Sequence, residues 1–259
     1  MTQFFRRDLH DRHLELWNTF TETRNALTPE YYQGVIDGLR EASENPAITA
    51  VILSGEGGFF CSGGDLNQLK ERRDMTLEQR YANINRLHDI IRAIRACPKP
   101  VISAVEGGAA GAGLSIALAC DMVVSAEKAK FVLAYVRAGL VPDGGVTRTL
   151  MQMLPRATVA KMAMMAKPLL AERLYDLGAI TEIVAKGAAM DTARGLAAEL
   201  STGPERAIAS IKTLMNQAED ATMEAHLDTE CEAMARALGG GETQIGISAF
   251  LNKQTPIFR

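Results

Sequence analysis

Three short apolar runs constrain the fold of this chain more than any other feature: AITAVILSG (47–55), PVISAVEG (100–107) and CDMVVSAE (120–127). Each is rich in Val or Ile and bounded by Gly, Pro or charge, which is how strands buried on both faces read. Buried strands of this kind lie parallel and need long crossovers, usually helical. Helical patterns lie between the runs. The segment 29–45 has Thr28 as its N-cap and Pro29 in its first turn. The segment 76–97 opens on a Thr76–Gln79 capping box and repeats its apolar residues every three or four positions. Strand, helix, strand predicts an α/β fold with a parallel sheet.

After about residue 155 the character changes. PRATVAKMAMMA, AERLYDLG, AAMDTARGLAAEL and PERAIASIKTLMNQAED predict successive helices, with Pro204 opening one and GGGET (239–243) separating the last pair. No repeat or low-complexity linker sets this part off, so a packed helical appendage is expected rather than an independent domain. With 259 residues, 47% of them hydrophobic, the chain can bury a large core, which excludes a disordered or fibrous protein. A net charge of -3 gives no overall case for nucleic acid or an anionic membrane. The stretch MTQFFRRDLHDRHLEL has no apolar core for a signal peptide, and no apolar run reaches the roughly 20 residues of a membrane span. A cytoplasmic enzyme is the expectation. Cys61, Cys97, Cys120 and Cys231 lie far apart without a CxxC pair, which predicts reduced, mostly buried thiols rather than a zinc site or disulfides.

The chemistry is expected where glycine collects. GEGGFFCSGGDL follows the first run, and EGGAAGAGLS follows the second and enters a helix. Ligands bind beyond the carboxyl ends of parallel strands, so both loops should face one crevice. Neither GxGxxG nor GxxxxGK[ST] fits, which argues against dinucleotide or P-loop binding. Ser115 is one residue short of a GxSxG elbow and lies well past the strand, inside a helical pattern, so a Ser–His hydrolase with His226 is disfavoured. His10, His13, His88 and His226 show no ligand spacing and read as surface residues. What remains is backbone chemistry: converging N–H donors of two glycine loops form an oxyanion hole for a carbonyl oxygen. In GLVPDGG (139–145) an acid, Asp143, stands at the most constrained point of a turn, where its side chain could simply bond nearby backbone.

FFCSGGDL (59–66), VISAVEGGAAGAGLSIALACDMVVSAEKAKF (101–131) and GLVPDGG, together with RNALTPE (24–30) and FLNKQTPIF (250–258), resemble the crotonase superfamily of enoyl-CoA hydratases and isomerases in order and spacing. The resemblance implies a ClpP-like spiral of β-β-α units over 1–200 and a helical region at 201–259 for trimerisation and closure over CoA. It also implies a homotrimer or dimer of trimers, an acyl-CoA thioester as ligand, and no cofactor beyond the CoA of the substrate. It places the oxyanion-hole N–H groups at Gly64 and Ala112, the latter where many relatives have glycine. Arg24 falls where relatives contact the CoA phosphates, and Phe250 and Lys253 where a neighbouring subunit often closes over the nucleotide. Ala26, Ser62, Asp65 and Leu66 fall in the same substrate-binding motifs, and LNQLKERRDMTLEQ after Asp65 should line the acyl pocket.

Hydratases of the superfamily carry two glutamates flanking a water. Read without gaps, those positions here hold Ser115 and Tyr135, which disfavours hydration because it needs a base for water and a donor for the α-carbon. Double-bond isomerisation needs one base. Enoyl-CoA isomerases of the peroxisomal type and the ring-epoxide isomerases of phenylacetate degradation carry theirs in GLxP[DE]GG, which points to Asp143. Leu140, Val141 and Val146 are expected to supply apolar surroundings, in which a carboxylate is a stronger base than in water. Two readings stay open beside the isomerase: a hydratase or lyase using Asp143 with a bound water, and a non-catalytic acyl-CoA-binding protein.

Overall fold

The computed structural model describes residues 4–258, so the outer ends of the two expected regions, residues 1 and 259, lie outside it. The chain begins with a hairpin, β1 (Phe5–His10) and β2 (His13–Asn18), followed by β3 (Ala26–Leu27) and α1 (Pro29–Glu44). Next come β4 (Ala50–Gly55), β5 (Gly63–Gly64), α2 (Leu66–Arg72) and α3 (Leu77–Ala96). A third round holds β6 (Val101–Val105), β7 (Gly108–Ala110) and α4 (Ala112–Ala119), and a fourth β8 (Met122–Ala126), β9 (Lys130–Val132) and α5 (Val146–Met153). After the hairpin, whose two strands both join the main sheet, each round sends one strand to that sheet, one short strand to a second layer, and then one or two helices. This is the spiral of β-β-α units that the resemblance implies.

The main sheet has the order β1-β2-β4-β6-β8, with one further strand beyond β8 described below. From β2 onward all neighbours are parallel, and β1 pairs antiparallel with β2. The three runs singled out in the sequence are its central strands, and every residue of β4 and β6 is buried. Alternation divides their side chains between two cores. Val51 and Leu53 join the large cluster with Val35 and Leu39 of α1 and Ile90 and Ile94 of α3. Ala50, Ile52, Ile102 and Ala104 face the other way. In the second layer β3 pairs with β5 and β7 with β9, and a bridge between Cys61 and Ala109 connects the two pairs.

The helix ends follow their sequence signals. The Thr28 side chain accepts the Tyr31 N–H at the start of α1, and Thr76 and Gln79 form a reciprocal capping box on α3. The later part is less uniformly helical than its composition predicts. α6 (Arg156–Met165) is followed by β10 (Leu169–Leu170), which pairs with β9, then α7 (Ala171–Asp176) and β11 (Glu182–Val184), which pairs parallel with β8 and completes the main sheet. α8 (Ala189–Ser201) covers the second core through Ala189, Ala193 and Ala197, small side chains that let the helix lie close to the sheet. α9 (Glu205–Ala218), α10 (Met223–Leu238) and α11 (Gly241–Leu251) complete the chain. Lys212 ties α9 inward: its buried ammonium donates to Ile94 O at 2.8 Å and Lys99 O at 3.1 Å and pairs with Asp121 at 2.7 Å. No helix among the described residues is long and apolar enough to cross a membrane.

The N-terminal hairpin shows no apolar run, because β1 is an edge strand whose charges pair outward: Arg6 with Asp8 and Glu56, and Arg7 with Glu41. Nor is every histidine on the surface. His13 and His226 are mostly covered, His13 because it packs against the Glu15 carboxylate and His226 because it lies beside Glu230 one helical turn on.

Glu15 itself is fully buried on β2. Burial disfavours its charge, but the Arg194 guanidinium on α8, His13 and the Trp17 N–H outweigh that and hold the carboxyl below its ordinary range. A lowered folded value stabilises the protein above the ordinary carboxylate range, and the contribution is lost as pH falls through the lowered value. Glu15→Gln is expected to cost about 2 kcal/mol at pH 7, as for hydrogen bonds to a charged partner. Urea unfolding of both proteins should show the difference shrinking below about pH 4; a pH-independent gap would assign the effect to packing.

Candidate active site

The site begins with a loop laid across a loop. Asn18 donates to Asn25 O at 2.9 Å, and Asn25, in the left-handed region at φ 61°, donates to Glu56 O and Phe59 O at 2.8 and 2.5 Å. Ser62 completes the contact, its N–H donating to Arg24 O at 2.9 Å and its hydroxyl to Thr23 O at 2.8 Å. These bonds set Ala26 opposite Gly63 and Leu27 opposite Gly64 in the β3–β5 pair. They fix where the Gly64 N–H stands.

The second loop meets the first backbone to backbone. Gly63 has φ 93°, and a Cβ there would lie 2.7 Å from Ala110 O and 3.2 Å from Ala112 N. Only glycine allows that approach and that backbone conformation. Ala112 opens α4, where the first N–H groups have no intrahelical acceptor, and Gly111 supplies no side-chain cap. Gly64 and Ala112 therefore lie on adjoining segments, Ala112 at a helix start whose first N–H groups have no intrahelical acceptor. Cys61 lies beneath them, and the sequence reading assigned it no part in the site. Its carbonyl accepts the Ala110 N–H at 2.9 Å, and its sulfur lies 3.4 Å from Gly63 N. Burial pushes its thiol up to about 12, so it is a neutral packing group and no nucleophile. Cys97 and Cys120 are also buried, and Cys231 is exposed.

Ser115, Tyr135 and Asp143 are brought together by three different elements: α4, the 3-10 turn Tyr135–Ala138, and the loop before α5. Tyr135 Oη donates to Asp143 Oδ1 at 2.7 Å. Ser115 Oγ donates to the Asp143 carbonyl at 3.0 Å and lies 3.4 Å from Tyr135 Oη. Tyr135 adjoins the meeting point of the two glycine loops, since a Cβ on Gly111 would be 4.0 Å from its Cζ and 3.9 Å from Gly63 Cα. Burial first, and then the Asp143 charge, push the Tyr135 phenol well above its usual value; it stays protonated and donates. Tyr32 on α1 belongs to the same neighbourhood. Its phenol is raised mainly by burial, Arg72 and Arg86 pull it down, and Cys61 and Asp143 push it further up.

Two expectations about Asp143 need correction. Leu140 and Val141 do not surround it, being 43% and 81% exposed on the outer side of the turn, and only Val146 of that trio is buried. Its side chain is engaged not with the backbone of its own turn but with a phenol eight residues earlier. The carboxylate is half-buried beside two hydroxyls.

The remaining candidates are dispersed. Asp65 caps α2, accepting the Asn67 N–H at 2.7 Å, and Leu66 begins that helix largely exposed. Arg24 is exposed at φ 55°, its guanidinium 5.8 Å from the centre of the Phe59 ring. Phe250, on α11, and Lys253, just past its end, are exposed, and α11 packs on α10. Among the described residues the acid–histidine cluster with metal-like spacing is Asp8, His10 and Glu15, on the hairpin, where Arg6 and Arg194 already pair with the carboxylates.

The family model described as enoyl-CoA hydratase/isomerase matches residues 19–259. The 1,2-epoxyphenylacetyl-CoA isomerase of Escherichia coli K12 is 34% identical over 238 residues, 92% of this chain and 91% of that protein. The 2,3-dehydroadipyl-CoA hydratase of the same organism is 29% identical over 237 residues, 91% of each chain. The crystal structure of an enoyl-CoA hydratase from Polaromonas sp. JS666 superposes with a TM-score of 0.95 at 42% identity, covering 98% of this chain and 99% of that one.

The contact between the two loops can be probed from the helix side. A Cβ on Gly113 would stand 2.5 Å from Cys61 O, a backbone atom that cannot swing away. Gly113→Ala is expected to destabilise by about 1–3 kcal/mol, the usual cost of overpacking, and to weaken acyl-CoA binding by separating the two donor segments. Urea unfolding and calorimetric titration with an acyl-CoA check this; a variant with unchanged stability and affinity would show that the segments are free to move apart.

Proposed function

The chain belongs to the enoyl-CoA hydratase/isomerase family, and within it we propose that this enzyme is an acyl-CoA isomerase using Asp143 as its single base. The thioester oxygen is held by the Gly64 and Ala112 N–H groups. Asp143 takes a proton from C2, the electron pair moves onto the held oxygen as a dienolate, and the proton returns at C4. The substrate is a 3-enoyl-CoA, giving the 2-enoyl-CoA, or a ring-epoxide arylacetyl-CoA, the class to which the name of the 34%-identical E. coli isomerase belongs. For the 3-enoyl-CoA each step is a proton transfer assisted by hydrogen bonds, and the ring-epoxide case rearranges bonds within the substrate at unchanged overall oxidation level, so the proposal calls for no metal or redox cofactor.

One observation carries this reading: Ser115 and Tyr135, the positions where hydratases of the superfamily place glutamates, hold hydroxyls, and both donate to Asp143. A water flanked by two carboxylates has no counterpart here, while one carboxylate beside two backbone donors is what a proton shuttle needs. In the same proposal Arg24, together with Phe250 and Lys253 from a neighbouring subunit, holds the nucleotide end of CoA, which makes the working unit a homotrimer or a dimer of trimers. Ala26, Ser62, Asp65 and Leu66 then belong to the wall along the substrate.

Asp143→Asn is expected to bind acyl-CoA with near-parental affinity yet lose proton exchange at C2 and isomerisation by about 100-fold or more. NMR in deuterated water with 2-enoyl, 3-enoyl and phenylacetyl-derived CoA esters measures both. A variant that isomerises at the parental rate would sink the assignment. Loss of the conjugated-thioester absorbance from a 2-enoyl-CoA would favour hydration, the reaction in the name of the dehydroadipyl-CoA relative. Binding without any exchange would favour a non-catalytic acyl-CoA protein.

A further inference from the structure

We infer that Tyr135 and Ser115 are positioning residues that tie down one oxygen and the backbone of Asp143, leaving Oδ2 alone to carry the proton between C2 and C4. This rests on the reading of Asp143 as the base.

The bond pattern makes the argument. Tyr135 Oη donates its hydrogen to Oδ1 at 2.7 Å, and Ser115 Oγ donates its hydrogen to the carbonyl of the same residue at 3.0 Å. A hydroxyl has one hydrogen, so the 3.4 Å approach of the two hydroxyl oxygens leaves neither a proton for the other. Both are therefore committed to Asp143, one at the side chain and one at the main chain. Ser115 is buried on α4, whose first turn also supplies the Ala112 donor. One short helix thus ties the base to the oxyanion hole, which fixes the relation between the group that removes the proton and the groups that receive the charge.

The reaction makes use of such a tether. In a 1,3-shift the C2–H bond breaks, its electrons pass toward the thioester oxygen, and the proton bonds to the carboxylate. The O–H bond then breaks as the C4–H bond forms. C2 and C4 flank a single carbon, so one oxygen reaches both without rotation of the carboxylate. A carboxylate held at Oδ1 keeps Oδ2 aimed along that path and delivers the proton before water replaces it. The Tyr135 hydrogen stays on tyrosine throughout, consistent with a phenol that burial keeps neutral. Misplacement by about an ångström costs on the order of 100-fold in rate, enough for two neutral hydroxyls to matter.

The test uses the full-length enzyme, 3-hexenoyl-CoA deuterated at C2, and phenylacetyl-CoA, whose α-proton exchange in deuterated water requires only a base and an oxyanion hole. Tyr135→Phe keeps the ring and removes the tether. It is expected to lower kcat, and the phenylacetyl-CoA exchange rate, about 10- to 100-fold with KM within about threefold, and to reduce the share of C2 label that reappears at C4. Ser115→Ala should do the same to a smaller degree, and Ser115→Thr, which keeps the hydroxyl, should recover part of the loss. The double variant should lose less than the product of the single losses, because both act on one group. Asp143→Asn, run beside them, separates the two claims. If it abolishes turnover and exchange while Tyr135→Phe matches the parent in kcat, exchange rate and label transfer, the tether is overturned and the base assignment survives. If Asp143→Asn retains turnover or exchange at the parental rate, both fall. A Tyr135→Phe loss accompanied by an equal fall in thermal stability and a raised KM would overturn the tether in favour of a packing role.

Discussion

The site depends on one close approach of backbone to backbone, where the Gly63–Gly64 strand meets the Gly111–Ala112 start of α4 with no side chain between them. An added Cβ on Gly63 would crowd both Ala110 O and Ala112 N. This contact seats two loops that are far apart in the chain directly against each other. A contact this close needs a rigid frame to hold the two backbones in place. The parallel strands β4 and β6, buried along their whole length, supply that frame, and the Asn18–Asn25 chain of hydrogen bonds fastens the rim of the first loop to it.

Around that contact the protein places one carboxylate and two hydroxyls. Two carboxylates this close would disfavour each other's ionisation. A phenol and a serine hydroxyl bring no such conflict, since they donate to the carboxylate and remain neutral. In the isomerase proposal, this arrangement serves to pass a single proton rather than to activate water. Farther out, α2 and α3 bring Arg72 and Arg86 within electrostatic reach of Tyr32.

Much of this was legible before any coordinates. The three apolar runs are the central strands, the Thr28 and Thr76 caps form as their neighbours demand, and both glycine clusters face the same place. These are local rules, acting over a few residues through backbone sterics and unsatisfied N–H groups. The N-terminal hairpin escaped notice because an edge strand need not be apolar, and Arg6, Arg7 and Asp8 make β1 look like a loop. The strands β10 and β11 escaped because they are two and three residues long, too short to interrupt a helical pattern. The expectation of apolar cover on Asp143 failed because Leu140 and Val141 lie on the outer side of the turn, a fact of orientation that composition does not carry.

By itself, then, the sequence determined the central strands and the helices between them, the glycines that let two loops meet, and the presence of one acid in the PDGG turn. Tertiary structure alone decided what that acid touches. Ser115, Tyr135 and Asp143 lie on a helix, a 3-10 turn and a loop, and nothing in their local sequence joins them. Their meeting follows from how α4 and the turn before α5 pack together. The physical reason is range. Backbone preferences are settled among neighbours in the chain, whereas a hydrogen bond between side chains is settled by packing among elements that find each other only in the folded state.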